Sequence, residues 1–142
     1  MAKVLTFHLC GSLFGLDITL VKEINRNVEY TPIPGAKPYI IGLFNMRGQV
    51  VTLFDLGILM GYGNESRQDS SSCIILKAFR NDSDQIGFLI EKKGDVADID
   101  EELFEPPPSN VGGIDSEFIS GVVKLKDELL IILNADRIFE GS

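Results

Sequence analysis

The side chains able to do chemistry are few and scattered. The one histidine, His8, lies between Phe7 and Leu9 in an alternating stretch. Its ring therefore points to the face opposite theirs, and a surface strand position outweighs a catalytic base with no partner in view. Asp55-Leu56-Gly57 has the outline of an acid-protease loop, a chemistry in which two carboxylates must share one proton. Cys10 and Cys73 are far apart, fall in strand-like runs and show no metal-ligand spacing, so both are expected to be reduced thiols in or near the core. There remains Asn45-Met46-Arg47-Gly48, set just ahead of the apolar run Val50 to Phe54. Gly48 can supply a positive φ and Asn45 can bond its own backbone, so the four residues read as a hairpin tip. Arg47 adds five fixed donors, able to organise a partner's carboxylate or carbonyl groups.

Composition removes several classes of function. Asp and Glu number 21 against 13 Lys and Arg, for a formal charge of -8, which repels phosphate backbones and anionic lipid. No nucleic-acid partner is expected. The N-terminus lacks a signal-peptide core and no later stretch approaches a membrane span, so a soluble cytoplasmic protein without membrane insertion is expected. The glycines fall into neither a Gly-x-x-x-x-Gly-Lys-Ser/Thr loop nor a Gly-x-Gly-x-x-Gly turn opening a long helix. The sequons at Asn64 and Asn81 carry meaning only in a secreted chain. A length of 142 residues leaves room for one domain or two very small units.

The elements that must position these residues are strands. Short apolar runs at 4–10, 13–18, 50–54, 73–79, 86–90, 119–125 and 129–133 are separated by Gly, Asn, Asp, Ser or Pro, the texture of an all-β domain. Phe14, Leu16 and Ile18 keep the period of a half-buried strand, but Val21 and Ile24 depart from it, so the strand bulges or ends near Thr19 and Leu20. Val21 and Glu23 then stand at the seam between units, or Val21 is core and Glu23 a solvated charge. Single helical turns are expected at 55–60 and 134–139, each opening on an N-cap residue, with 35–40 a third candidate. Gly112-Gly113 reads as a turn.

The two halves of the chain repeat. "GLFNMRGQVVTLFDLGILM" from Gly42 aligns with "GVVKLKDELLIILNADRIF" from Gly121 at an offset of 79, matching Arg47 to Lys126 and Asp55 to Asn134. Gly15 matches Gly87 at an offset of 72, and Pro32-Ile33-Pro34 matches the prolines at 106–108 at an offset of 74. Three blocks in one order imply a duplication into two β units of about 70 to 80 residues, joined by the polar stretch 61–72. Units of that kind close into barrels to hide their edges, and a binding surface is expected where they meet. Asn134 at the position aligned with Asp55 breaks the paired carboxylates of the protease reading.

From Phe14 to Leu56 the chain closely resembles the CheW family, the adaptors of bacterial chemotaxis. The likeness rests on "FGLDI", "VKEI", "IP" and "IIGLFNMRGQVVTLFDL", where Asn-x-Arg-Gly before an apolar strand and Asp-Leu is the most specific part. "IGFLIEKKGDV", the proline run and "ISGVVKLKDELLIILNADRIF" extend the resemblance over essentially the whole chain. It implies an all-β fold, two intertwined five-stranded β-barrel subdomains in one domain over 1–142. The first barrel would span roughly 14–66 and the second roughly 73–133, with terminal segments crossing over. It also implies a non-enzymatic, cofactor-free scaffold, monomeric when free, that joins methyl-accepting chemoreceptor tips to the regulatory domain of a CheA-type histidine kinase.

By motif position the resemblance puts Ile18, Val21 and Glu23 on or near a receptor groove, which Lys93 and Val96 line from the other half. Asn45, Arg47 and Gly48 form a loop tied to signalling assembly, and Glu105 and Pro106 lie near a kinase contact. Thr52 departs from a frequent proline, Gly57 from a usual basic residue, and Lys93 from a common valine, which points to a receptor with an acidic residue at that place. An adaptor of another kinase-linked array, such as surface motility, is the alternative, and a duplicated β protease the remote one. Ending at Ser142 with no receiver or kinase domain, the chain reads as a stand-alone adaptor.

Overall fold

A computed structural model describes residues 2–9, 11–61, 72–77, 85–108, 110–111 and 114–139. Cys10, both sequons, Gly112-Gly113 and most of the connector 61–72 lie outside the described residues. Among the described residues there are twelve strands: β1 Ala2–Leu9, β2 Ser12–Asp17, β3 Val21–Asn25, β4 Ile40–Met46, β5 Gln49–Phe54, β6 Ser72–Leu76, β7 Gln85–Ile90, β8 Lys92–Ile99, β9 Asn110–Val111, β10 Ile114–Asp115, β11 Ile119–Lys124 and β12 Leu129–Leu133. Two short helices, α1 Leu56–Leu59 and α2 Ala135–Phe139, follow β5 and β12. Asp55 Oδ1 caps α1 by accepting from the Ile58 amide at 3.1 Å, and Asn134 Oδ1 caps α2 by accepting from the Arg137 amide at 3.3 Å. The candidate helix at 35–40 is a pair of turns instead, since Gly35 has a positive φ and Pro38 keeps Lys37 out of the helical region.

Ten of the strands form two five-stranded sheets, in the orders β11-β12-β2-β1-β8 and β4-β5-β7-β6-β3, and β9 and β10 pair as a separate two-stranded ribbon. Exchanging β4 for β11, β5 for β12, β7 for β2, β6 for β1 and β3 for β8 converts one order into the other, so the duplicated blocks occupy equivalent places. Each sheet mixes the halves through one parallel pair and one antiparallel pair, β1 with β8 in the first and β3 with β6 in the second. Gly15 of β2 lies opposite Ile132 of β12, and Gly87 of β7 lies opposite Leu53 of β5. Even the irregularities repeat: β4 carries an extra residue at Ile41 and β11 one at Ser120, again 79 apart. Past each outer strand the chain returns to the opposite edge, where Thr31 bridges Leu43 and Glu105 bridges Val122.

Burial follows this plan. Val28, Ile41, Met46, Val51, Leu53, Cys73, Ile75 and Leu89 fill the inner face of the second sheet. Val4, Leu13, Ile99, Val123, Leu130 and Ile132 fill that of the first. Between the sheets lies the largest cluster, with Phe7, Phe14, Phe54, Phe88 and Phe139 at its heart and both helices contributing. Phe54 meets Phe139 edge-on at 5.7 Å and Phe7 stacks on Phe14 at 5.8 Å, geometries aromatic quadrupoles favour. The middle of the seam is therefore solid core, and only its rims can receive a partner.

β4 and β8 escape the sequence pattern for different reasons. β4 interrupts its apolar run with Gly42 and Asn45, while β8 is a sheet edge whose residues are mostly exposed, so neither period nor hydrophobicity marks it.

Candidate partner-binding site

The hairpin between β4 and β5 is closed by the Met46–Gln49 pair, leaving Arg47 and Gly48 as a two-residue turn. Both have positive φ, 51° and 84°, the signature of the turn whose twist matches paired strands. Asn45 Oδ1 accepts from the Gly48 amide at 3.1 Å and locks the tip. Glycine adopts this conformation freely, whereas an L-residue such as Arg47 is disfavoured there by about 1 to 2 kcal/mol. The duplicate hairpin is built differently: the Leu125 amide donates to Glu128 O at 2.9 Å across Lys126-Asp127, with no positive φ at either. Strain confined to one copy of a duplicated element points to function.

Glu23 reaches Arg47 because β3 is bulged. Val21 pairs with Leu76 and Glu23 with Ile75, so Lys22 is an extra residue. In a regular strand, residues 21 and 23 would share a face; here Val21 turns to the core between the sheets and Glu23 to the other side. Glu23 Oε1 accepts from Arg47 Nη2 at 2.5 Å, with the arginine side chain 71% exposed and the glutamate 22%. Asn25, two residues on, donates from Nδ2 to Met46 Sδ at 3.4 Å. β3 and β4 are opposite edges of one sheet, so these contacts fasten its edges together through side chains. Beneath them lies Cys73, paired with Asn25, whose thiol is pushed up to about 11 by burial against the lowering effect of a backbone hydrogen bond from Asn25. Asn25 was not among the expected site residues; the alternation Glu23, Asn25 after the bulge is the signal that marks it.

A second bulge organises the other half. Leu5 pairs with Val96 and Phe7 with Lys93, so β8 carries an extra residue around Gly94-Asp95, opposite Thr6. Thr6 Oγ1 donates to Asp95 O at 2.7 Å, and a Cβ on Gly94 would collide with Thr6. Through this bulge, Lys93 and Val96 both continue the face of Leu5 and Phe7, beyond the edge of the central core. Val96 is 50% exposed. Val21 and Ile24 of β3, on the other sheet, and Ile18, in the 3-10 turn Ile18–Leu20 that joins β2 to β3, are half-buried against the same core. Glu105 and Pro106 stand apart, exposed, with Glu105 bonded to Val122 and 3.8 Å from Lys124 Nζ.

The remaining polar candidates are accounted for structurally. Asp55 and Asn134 are helix caps, and His8 Nε2 lies 3.9 Å from Glu128 Oε1. Among the described residues no three His, Cys, Asp or Glu side chains are grouped to hold a metal, and no helix is long and apolar enough to cross a membrane.

Known proteins place this geometry in a family. The CheW-like domain matches residues 3–142. Chemotaxis protein CheW of Treponema pallidum is 29% identical over 141 residues, covering 99% of this chain and 83% of that protein. Chemotaxis protein CheW of Bacillus subtilis is 28% identical over 138 residues, covering 97% and 86%. The crystal structure of scaffolding protein TtCheW from Thermoanaerobacter tengcongensis superposes with a TM-score of 0.83 at 33% identity, covering 98% of this chain and 88% of that one. The chain belongs to the CheW-like domain family.

Proposed function

We propose that this chain is a cytoplasmic, non-enzymatic adaptor that couples the tips of chemoreceptors to the regulatory domain of a CheA-type histidine kinase. Membership in a family of chemotaxis proteins supports the pathway. The observation that carries the reading is Arg47, disfavoured in its backbone, tied to Glu23 and held out at an exposed hairpin tip. A guanidinium has five N–H donors; the glutamate fixes its plane and leaves others directed at a partner. Ile18, Val21, Lys93 and Val96 form receptor-binding rims, with Asn45 and Gly48 shaping the loop and Glu105 and Pro106 a kinase contact. Coupling consists in holding two partners in one geometry, with apolar rim residues supplying affinity and charges supplying specificity.

Calorimetric titration against the regulatory domain of a CheA-type kinase from the same organism tests this. Saturable binding, micromolar or tighter, supports the adaptor. No heat and no complex on gel filtration contradicts it.

A further inference from the structure

We infer that Gln85, with Gln49 over it, is a hydrogen-bonding subsite at the end of the second sheet's core, and that it takes a donor, an N–H or a hydroxyl, from the kinase regulatory domain docked at the Arg47 hairpin. The inference rests on the adaptor reading and adds a specificity residue to it. Gln85 opens β7 and lies opposite Val51. It is 6% exposed and is the one buried polar or charged residue among the described residues. Its Nε2 donates to Oε1 of the exposed Gln49, while its own Oε1 is buried without a hydrogen-bond partner. The orientation of the amide does not alter this. The head carries two N–H donors and an accepting oxygen, so one bond to Gln49 leaves buried hydrogen-bonding capacity over either way.

The duplicate shows that the fold does not require this amide. At the offset of 72 that matches Gly87 to Gly15, Gln85 corresponds to Leu13, which is buried in the first sheet's core opposite Leu130. An apolar residue fills this place in one sheet and an under-bonded amide in the other. Buried polar groups left without partners cost free energy and call for an explanation. Position supplies one. Gln85 shares a face with Val51 and Leu89, in the core on the side of the sheet away from the central seam. Gln49, paired with Met46, closes the hairpin that carries Arg47. The amide thus stands at the end of that core beside the Arg47 turn, whereas Val21 turns to the seam. The receptor rims flank the seam, so the partner that can reach Gln85 is the kinase domain. A rotamer change of the exposed Gln49 uncovers the amide. Because Gln85 Oε1 has already lost its water, a donor arriving there gains a bond with no further dehydration of the acceptor.

Calorimetric titration of the full chain with the regulatory domain of a CheA-type kinase from the same organism compares wild type with Gln85→Leu and Gln85→Met, the second keeping the unbranched shape in case the first does not pack. Urea unfolding is read on the same samples. Both variants should be at least as stable as wild type, as expected when an under-bonded buried group becomes apolar, yet bind the kinase domain about three- to tenfold more weakly. Stability kept and binding lost is a pattern that a merely structural glutamine would not give. In wild type, the side-chain amide NMR signals of Gln85 should shift as the kinase domain is added. Wild-type affinity in the variants would overturn the inference while the adaptor reading stands. So would a clear loss of stability in both with amide signals unmoved by the kinase domain, which would mean that an internal water only fills the place. If wild type does not bind the kinase domain at all, the adaptor reading falls too.

Discussion

Arg47 and Glu23 lie 24 residues apart on opposite edges of one five-stranded sheet, yet Arg47 Nη2 sits 2.5 Å from Glu23 Oε1. Two local irregularities produce that meeting: the left-handed turn at Arg47-Gly48 and the extra residue at Lys22. The arginine is mostly solvated and the glutamate only partly, so the pair's contribution to stability stays modest, on the order of 1 kcal/mol. Its cost in backbone strain is at least comparable, which argues that it persists for what it presents to a partner.

Replacing Arg47 separates the two roles. Arg47→Ala keeps the left-handed backbone and loses the ion pair, so unfolding by urea should show a loss of no more than about 1 kcal/mol. Arg47→Gly removes the strain and should be about 1 kcal/mol more stable than Arg47→Ala. Both variants should lose receptor-coupled control of the kinase. Wild-type control in either would show that the guanidinium has no signalling role.

Gly42 and Gly121 are duplicates in different surroundings. A Cβ at Gly42 would strike the Thr31 carbonyl oxygen, whereas one at Gly121 would stand 3.3 Å from Glu105 O. Gly42→Ala should therefore cost more than Gly121→Ala, about 2 kcal/mol or more against about 1, as expected of overpacking without and with room to relax. Equal losses would mean that the Thr31–Leu43 bridge yields more easily than its geometry indicates.

The duplication is the part of the fold that sequence reveals best, because paired glycines, paired prolines and paired apolar strands keep their spacing while surface residues drift. The matched glycines Gly15 and Gly87 prove to lie on the two parallel pairs, while the bulges at Ile41 and Ser120 repeat at the same offset but are visible only in the structure. The duplication does not reveal β8, whose polar, exposed residues lack a period. Nor does it reveal that Glu23 meets Arg47, since that contact depends on the curl of a whole sheet. The seam is legible as a place where two units meet, but not as filled by five phenylalanines, because each half's apolar face looks the same whether it covers a cleft or a core.

The Cys73 thiol supplies a pH dependence. Burial raises it from 9.0 to about 11, so between those values the unfolded chain gives up its proton first and stability falls as pH rises. Below pH 9 that contribution is fully present. The stability advantage of wild type over Cys73→Ala should shrink across this window, as read by urea unfolding at several pH values. A constant difference would mean that the thiol is not shielded from water in the folded chain.

The caps offer a direct check on the enzyme alternative. Asp55→Ala and Asn134→Ala should each destabilise the protein by about 1 kcal/mol, the usual effect of losing an N-cap side chain. Asp55→Asn, which keeps an accepting oxygen, should be close to wild type. Peptide hydrolysis at acidic or neutral pH that disappears in Asp55→Asn would make Asp55 catalytic and contradict its role as a cap alone.

The central claim is that this chain joins two partners, and co-sedimentation tests it most directly. Chemoreceptors from the same organism in vesicles would be mixed with the CheA-type kinase, with and without this protein, and the pelleted kinase measured. The adaptor reading predicts that kinase recovery rises to saturation as wild type is added, with the protein itself in the pellet. Kinase recovery unchanged by the protein, at concentrations that saturate its binding to receptor or kinase alone, would contradict it.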